Sequence, residues 1–325
     1  LKKINQFVMT PKFILKRVLF VMVALFIILN FLLAFQAYRF TYFYEASEVA
    51  YKKPEQMTLG EKISGGLFGF KFPKRKIDTL PSLPFKSVIL TTAQSLHLKS
   101  WFVKADSVAL GTVILFHGHA SNKQKVLAEA TYFHELGYNT LSVDLRAHGE
   151  SDGNICTIGV NESEDVEVAF NYVKNTLHEK NIILWGVSLG AATILKGIHD
   201  FGLTPQKVIL ECPFATMEDA VKGRLRSLHI PATPISQILM FWGSLERGFW
   251  AFSHRPVDYA KAVKVPVLLN WGKHDPRVTM AETEAIFEAL PSNNKKKVIY
   301  EKSAHQSFCR SETAKWKSEI QAFVK

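Results

Sequence analysis

Residues 183–193 read Ile-Leu-Trp-Gly-Val-Ser-Leu-Gly-Ala-Ala-Thr, an apolar run that reaches a serine, Ser188, set between Gly186 and Gly190. The Gly-x-Ser-x-Gly spacing is that of a strand turning sharply into a helix, with the serine at the apex in a strained backbone conformation. Glycine on either side removes the Cβ atoms that would block so tight a turn. Ala191 and Ala192 then let the new helix lie close to its neighbours. The string also arises by chance, so its meaning depends on partners elsewhere in the chain.

The surrounding sequence supplies a matching frame. After Pro84, short β-rich apolar runs alternate with helical patterns, the sign of a mostly parallel sheet covered on both faces. The runs are residues 87–91, 96–103, 112–116, 140–144, 181–187, 207–211, 265–271 and 297–301. Between two of them, residues 164–177 place Val166, Phe170, Val173 and Leu177 on one helical face, with Asp165 near the positive N-terminal end. The connection between Glu211 and Val265 is far longer than an ordinary crossover and is rich in Phe, Trp, Ile, Leu and Met over residues 235–252. A connection of that length reads as a lid, at about residues 213–260. Its apolar face either forms an acyl pocket, dips into lipid, or packs on the top of the sheet.

Residues 18–37, VLFVMVALFIILNFLLAFQA, form a different kind of element. About 20 mostly apolar residues suffice to cross a bilayer. A cleaved signal peptide would have a shorter apolar region ending in a small-x-small site, which Ala34-Phe-Gln-Ala37 matches poorly, so an uncleaved signal anchor is the preferred reading. The chain then divides into a basic tail (1–17), a transmembrane anchor (18–38), a juxtamembrane connector (39–80) and one large domain (81–325). Lys2, Lys3, Lys12, Lys16 and Arg17 precede the span, whereas Arg39 and the more distant Lys52 and Lys53 follow it. That bias puts the N-terminus in the cytosol and the large domain across the membrane. On that side Asn161-Glu-Ser163 would be a glycosylation acceptor in a eukaryotic secretory pathway.

Composition removes other classes. With 325 residues, 47% of them hydrophobic, the chain can bury a sizeable core. The net charge of +11 is spread thinly, Lys295 to Lys297 read as a solvated loop, and no basic run is interleaved with aromatics, which argues against nucleic acid as a partner. Cys156, Cys212 and Cys309 are too scattered for a disulfide framework or a metal site. Gly65 to Gly69 lack the strand and helix of a dinucleotide loop, Gly243 to Gly248 lack a phosphate-loop lysine, and His134-Glu135 lack the second histidine of a zinc-protease helix. No cofactor is called for.

A serine hydroxyl is a weak nucleophile near neutral pH and needs a base, which in turn needs an orienting acid. After the run 265–271 comes Gly272-Lys-His-Asp275, and after the run ending at Glu301 comes Ser303-Ala-His305, so Ser188, Asp275 and His305 follow one another in the order Ser, acid, His at strand ends. His305 would take the serine proton, and Asp275 would fix the imidazole tautomer. The backbone N–H of Leu189 and that of His119, in the loop after the third run, are the expected donors to an oxyanion. His117 is read as a brace for that loop, and His117 with His119 lacks a third metal ligand. Asp144 and Arg146 are read as a structural loop beside the nucleophile strand.

Taken together, His117-Gly118, Asp144-Leu-Arg-Ala-His-Gly-Glu-Ser-Asp-Gly153, Gly186-Val-Ser-Leu-Gly190, Asp275 and His305 resemble the α/β-hydrolase superfamily, in particular its serine-aminopeptidase-like and monoglyceride-lipase-like branch, which has membrane-anchored members. The resemblance runs from about Pro84 to the C-terminus and implies a sheet of eight strands with a cap after the sixth. It departs at His119, where many relatives carry a smaller residue, and since some relatives place the acid at the end of the sixth strand it makes Glu211 the competing acid to the preferred Asp275. It implies a serine hydrolase, with a carboxylic ester, lipid-like or thioester, as the leading substrate and the membrane met through the N-terminal helix. An aminopeptidase is the alternative, and would need Glu218, Asp219 or Glu246 to hold a substrate ammonium; a non-catalytic binding protein on the same fold is the alternative of another class.

Overall fold

The computed structural model describes residues 11–45, 47–49 and 57–325. Lys2, Lys3, Lys52 and Lys53, part of the charge bias above, lie outside them. Eight strands form one sheet: β1 (Phe85–Thr91), β2 (His97–Val103), β3 (Thr112–Phe116), β4 (Asn139–Val143), β5 (Ile182–Val187), β6 (Lys207–Glu211), β7 (Val267–Gly272) and β8 (Lys295–Tyr300). Their spatial order is β8-β7-β6-β5-β3-β4-β2-β1. The pairs β1/β2 and β2/β4 are antiparallel, and every other pair is parallel.

The middle of the sheet is dry. Every residue of β3 and of β7 is buried, as expected of parallel strands covered on both faces. From β3 the chain moves one way to β4 and then returns past β3 to β5, so right-handed crossovers put α3 (Leu127–Glu135) on one face and α4 (Ser163–Asn171) and α5 (Leu189–Phe201) on the other. The last helix, α11 (Thr313–Val324), joins α3: its fully buried Trp316 lies 5.5 Å from the ring of Tyr132 and 6.1 Å from that of Phe133. α4 packs on α5, where Gly197 brings the helices close enough that a Cβ would lie 3.3 Å from Val166. Reversal of strand order between β3 and β5 opens a crevice at their carboxyl ends, the usual place for a ligand in such sheets.

Between β6 and β7 lie α6 (Met217–Ser227), capped by Thr216 accepting from the Asp219 N–H, α7 (Ile235–Arg247), ended by Gly248 at φ 69°, and the short α8 (Pro256–Tyr259). The N-terminal apolar helix, α1 (Pro11–Phe40), is 30 residues long and mostly exposed, and is the one helix among the described residues long and apolar enough to cross a membrane. It outruns the 18–38 span at both ends and packs along α7.

Several expectations need correcting. The connector contains a helix: Thr58 and Glu61 form a reciprocal capping box that starts α2 (Leu59–Phe68), and the glycines at 65 and 66 belong to this helix. Lys295 to Lys297 are strand β8, not a solvated loop; Lys295 Nζ donates to the carbonyls of Phe287 and Leu290 at the end of α9 (Met280–Ala289), and Lys297 pairs with Glu284. The helix read at 164–177 is regular only over α4 and continues as a wider turn over Tyr172–Thr176. The loop of Asp144 and Arg146 follows β4, which β3 separates from the nucleophile strand β5.

Candidate active site

Ser188 sits at the turn from β5 into α5 with φ 54° and ψ −113°, a conformation that L residues avoid and that tight surroundings must enforce. The enforcement is visible at the two glycines. A Cβ on Gly190 would lie 2.3 Å from the Phe116 carbonyl oxygen, and one on Gly186 would lie 2.7 Å from the Gly190 carbonyl carbon. The Ser188 N–H is tied to the Glu211 carbonyl at 2.7 Å, fixing the turn to β6. Ala191 and Ala192 are fully buried against the sheet.

The three side chains picked out by order and spacing meet. His305 Nε2 is 3.0 Å from Ser188 Oγ, and His305 Nδ1 is 2.7 Å from Asp275 Oδ2. Asp275 Oδ1 accepts from the backbone N–H groups of Arg277 (2.8 Å) and Val278 (3.0 Å). Burial pushes the Asp275 carboxyl up, but the His305 hydrogen bond and these two amides outweigh it and hold it below the usual carboxylate range. An ionised Asp275 accepts a proton-bearing Nδ1, which leaves Nε2 facing the serine as an acceptor.

Glu211, the competing acid, does not reach His305. Its Oε1 accepts from Trp316 Nε1 (2.6 Å), Asn270 Nδ2 (3.2 Å) and Trp185 Nε1 (3.3 Å). Burial first, and then the neighbouring Glu129, push its carboxyl up to about 8.

The loop after β3 faces the serine from across the crevice. Gly118 approaches so closely that a Cβ there would lie 3.6 Å from Ser188 Cβ. His117 is fully buried; its Nδ1 donates to the Gly118 carbonyl (2.8 Å) and its Nε2 accepts from the Leu145 N–H (3.1 Å), bracing the loop against the end of β4. Burial lowers His117 to about 4, so it stays neutral. His148 acts alike, accepting from the Ala120 N–H at 3.2 Å. Asp144 accepts from the Lys123 N–H and from Lys123 Nζ, both at 2.6 Å, and Arg146 pairs with Asp165 and Glu164. These ties are structural, as read. Among the described residues no acceptor engages the N–H of Leu189 or of His119, and both His119 and Ser188 line a cleft of about 360 Å³.

Three further features of the site had no local signal in the sequence. Cys212 Sγ lies within 4.8 Å of the His305 and Asp275 donor atoms; His305 already spends both ring nitrogens on Ser188 and Asp275, and burial holds the thiol protonated. Arg277 and Arg310 line the cleft. Ser307, two residues after His305, donates to the buried Glu129 of α3 at 2.5 Å and so pins the His305 loop. Of the acidic lid residues, Glu218 pairs with Lys222 and accepts from Gln237, Asp219 accepts from the hydroxyl of Thr216, the cap of α6, and neither these nor Glu246 line the cleft.

Residues 108–245 match the family model described as serine aminopeptidase, S33. The uncharacterized protein YqkD of Bacillus subtilis is 27% identical over 234 residues, which cover 67% of this chain and 74% of that one. The lysophosphatidylserine lipase ABHD12 of Danio rerio is 26% identical over 134 residues, 38% of this chain and 33% of that one. Among solved structures the esterase Pf2001 of Pyrococcus furiosus superposes with a TM-score of 0.64 at 22% identity, over 78% of this chain and 97% of that one. The sheet order, the elbow after β5 and these matches agree, and the chain has the α/β-hydrolase fold.

Proposed function

We propose that the protein is a membrane-anchored serine hydrolase that cleaves carboxylic esters, lipid-like esters and thioesters included, through an acyl-enzyme on Ser188. The observation that carries this reading is the unbroken hydrogen-bonded line from Ser188 Oγ through His305 to Asp275, at 3.0 and 2.7 Å. In acylation, Oγ attacks the ester carbonyl as its proton passes to His305 Nε2, and the carbonyl electrons move to oxygen. The Leu189 and His119 amides receive that oxyanion; Leu189 adds the positive end of α5. Collapse of the tetrahedral species breaks the C–O bond, and the leaving alkoxide takes the proton back from His305. Water repeats the sequence on the acyl-enzyme and releases the acid. Asp275 stabilises the transient imidazolium without being protonated itself.

An ester is favoured over a peptide substrate because Glu218, Asp219 and Glu246 stand outside the cleft, so the acidic group that an N-terminal ammonium would need is missing from the lid side. The S33 match keeps the aminopeptidase reading as the second one. α1 is taken as the anchor, with the N-terminus cytosolic because Lys12, Lys16 and Arg17 outnumber Arg39 near the span.

A fluorophosphonate probe tests the chemistry: the wild-type chain is expected to be labelled and Ser188→Ala not, and an unlabelled, folded wild type removes the proposal. Comparing p-nitrophenyl esters of rising chain length with aminoacyl anilides tests the substrate class, and preference for anilides would shift the assignment to the aminopeptidase.

A further inference from the structure

Two elements flank α1 near its C-terminal end, and both turn apolar stripes away from the protein. α2 is tied to α1 by Gln36 Nε2, which donates to the carbonyls of Gly65 (3.0 Å) and Gly66 (2.7 Å), and by Phe35 meeting Phe68 edge-on at 5.8 Å. On its outward side Leu59, Ile63 and Leu67 recur at intervals of four, on one helical face, and all are exposed. The lid helix α7 is tied to α1 by Trp242 Nε1 donating to Asn30 Oδ1 (3.1 Å) and by Arg247, whose Nε donates to Thr41 Oγ1 (2.7 Å) and Nη2 to the Tyr38 carbonyl (2.8 Å). Its Phe241 and Leu245, again four apart, are exposed, Leu245 at 65%. Between α1 and α7 runs an apolar crevice of about 300 Å³ lined by Phe26, Ile27, Asn30, Phe31, Ala34 and Trp242.

The position of Asn30 sets the depth of this assembly. If the span starts after Lys16 and Arg17, about 20 residues bring it to Ala37. At about 1.5 Å per residue, Asn30 then lies about 10 Å inside that boundary. Around it Phe26, Ile27, Ile28 and Phe31 are exposed while the neighbours turned toward α7 and α2 are half-buried or buried, so the medium that covers the open side of α1 at this level is lipid on the anchor reading. α7, bonded to Asn30, shares that level. Stripes of large apolar side chains continuous with a membrane helix need the same medium, because contiguous apolar surface of this kind is not left to water.

We propose that α1, α2 and the lid helix α7 form one face embedded in a single leaflet, so that the Ser188 cleft opens at the membrane surface and receives acyl esters resident in the bilayer. The cleft is at the matching height: Phe40, the last residue of α1, stacks on His119 at 4.6 Å, and His119 lines the cleft. The proposal rests on the reading of α1 as a membrane anchor and, for the substrate, on that of Ser188 as the nucleophile.

The test uses the full chain reconstituted in phosphatidylcholine and phosphatidylglycerol vesicles. Leu245→Cys and Ile63→Cys each receive an environment-sensitive fluorophore, with Val108→Cys as the aqueous reference. Val108 is 93% exposed in the turn leading into β3, at the end of the sheet away from Ser188. The three native cysteines are buried and do not compete for the label. Labels at 245 and 63 are expected to be quenched by doxyl-labelled lipid and to be about tenfold less sensitive to aqueous iodide than the label at 108. Iodide quenching at either position equal to that at 108 overturns the proposal. Shielding from iodide without quenching by doxyl lipid also overturns it, since the stripe would then be covered by protein. Leu245→Asp is further expected to lower turnover of a vesicle-borne long-chain ester, relative to that of a dissolved short-chain ester, by about tenfold; an unchanged ratio counts against bilayer-resident substrates. Resistance of the chain to alkaline extraction and fluorophosphonate labelling of Ser188 report separately on the anchor and on the chemistry, so failure of either is told apart from failure of the embedded face.

Discussion

The ring of Phe40, the last residue of α1, stacks on the imidazole of His119 at 4.6 Å and 20°. Phe43 meets the same imidazole at 5.3 Å, and His119 is half-buried, with desolvation of its ring pushing its pKa well down so that it stays neutral. The N-terminal helix α1 thus ends on the loop that supplies the proposed second oxyanion donor. Removing one such donor outright costs a hundredfold or more, and loosening its loop costs part of that. Phe40→Ala is therefore expected to lower kcat about tenfold with KM changed less than about threefold. The measurement is steady-state hydrolysis of a short p-nitrophenyl ester, and a variant altered in KM alone would detach the anchor from the chemistry.

Two carboxyls competed for the acid role, and their surroundings separate them. Asp275 holds His305 Nδ1 at 2.7 Å, whereas Glu211 is enclosed by Trp185, Trp316 and Asn270. Asp275→Asn removes the acceptor that selects the histidine tautomer and is expected to lower kcat by about 10³–10⁴-fold. Glu211→Gln keeps the shape of a neutral acid and is expected to leave kcat within about threefold, a change of under about 1 kcal/mol. Equal losses in the two variants would contradict the assignment.

Glu211 also carries a pH signature. Its folded-state pKa is raised from the ordinary glutamate value of 4.5 to about 8, so the folded chain holds a proton there that the unfolded chain releases. The stability from this group is complete below about pH 4.5 and is lost progressively as pH rises to about 8. Glu211→Gln removes that dependence. The melting temperature of the variant relative to the wild type is expected to be higher at pH 8 than at pH 5, read by thermal unfolding in detergent at both pH values. A difference of the opposite sign would mean that Glu211 is ionised in the fold.

The sheet and the three interacting side chains were legible because each has a local signature: β-rich runs of five to seven residues, a glycine-flanked serine, and a polar residue just after a strand. What depends on distant partners was not. β8 opens with three lysines that a count of charge assigns to solvent, yet Lys295 reaches carbonyls at the end of α9, Lys297 pairs with Glu284 of α9, and Lys296 pairs with Glu319 of the last helix. α2 escaped because its apolar stripe faces away from the protein, which blurs the usual contrast, although Thr58-x-x-Glu61 spelled out its start. The docking of α7 on α1 through Trp242 and Asn30 joins residues 212 apart and left no local trace.

Neither glycine that first singled out Ser188 leaves room for alanine. At Gly190 a Cβ would stand 2.3 Å from a backbone oxygen of β3, which can yield only if α5 moves off the sheet. Overpacking of this kind costs about 1–3 kcal/mol, and a rigid backbone obstacle puts Gly190→Ala at the upper end. For a domain of this size that is a melting temperature lower by about 6–12 °C. The shift of α5 also displaces Ser188 and the Leu189 amide, so fluorophosphonate labelling is expected to fall even at temperatures where the chain stays folded. Gly66→Ala is the control: no atom lies within 4 Å of its Cβ, and alanine in a helix is favoured over glycine by about 1 kcal/mol. Its labelling is expected to match the wild type, and a Gly190→Ala chain that did the same would show that the elbow tolerates a side chain where the structure leaves no room for one.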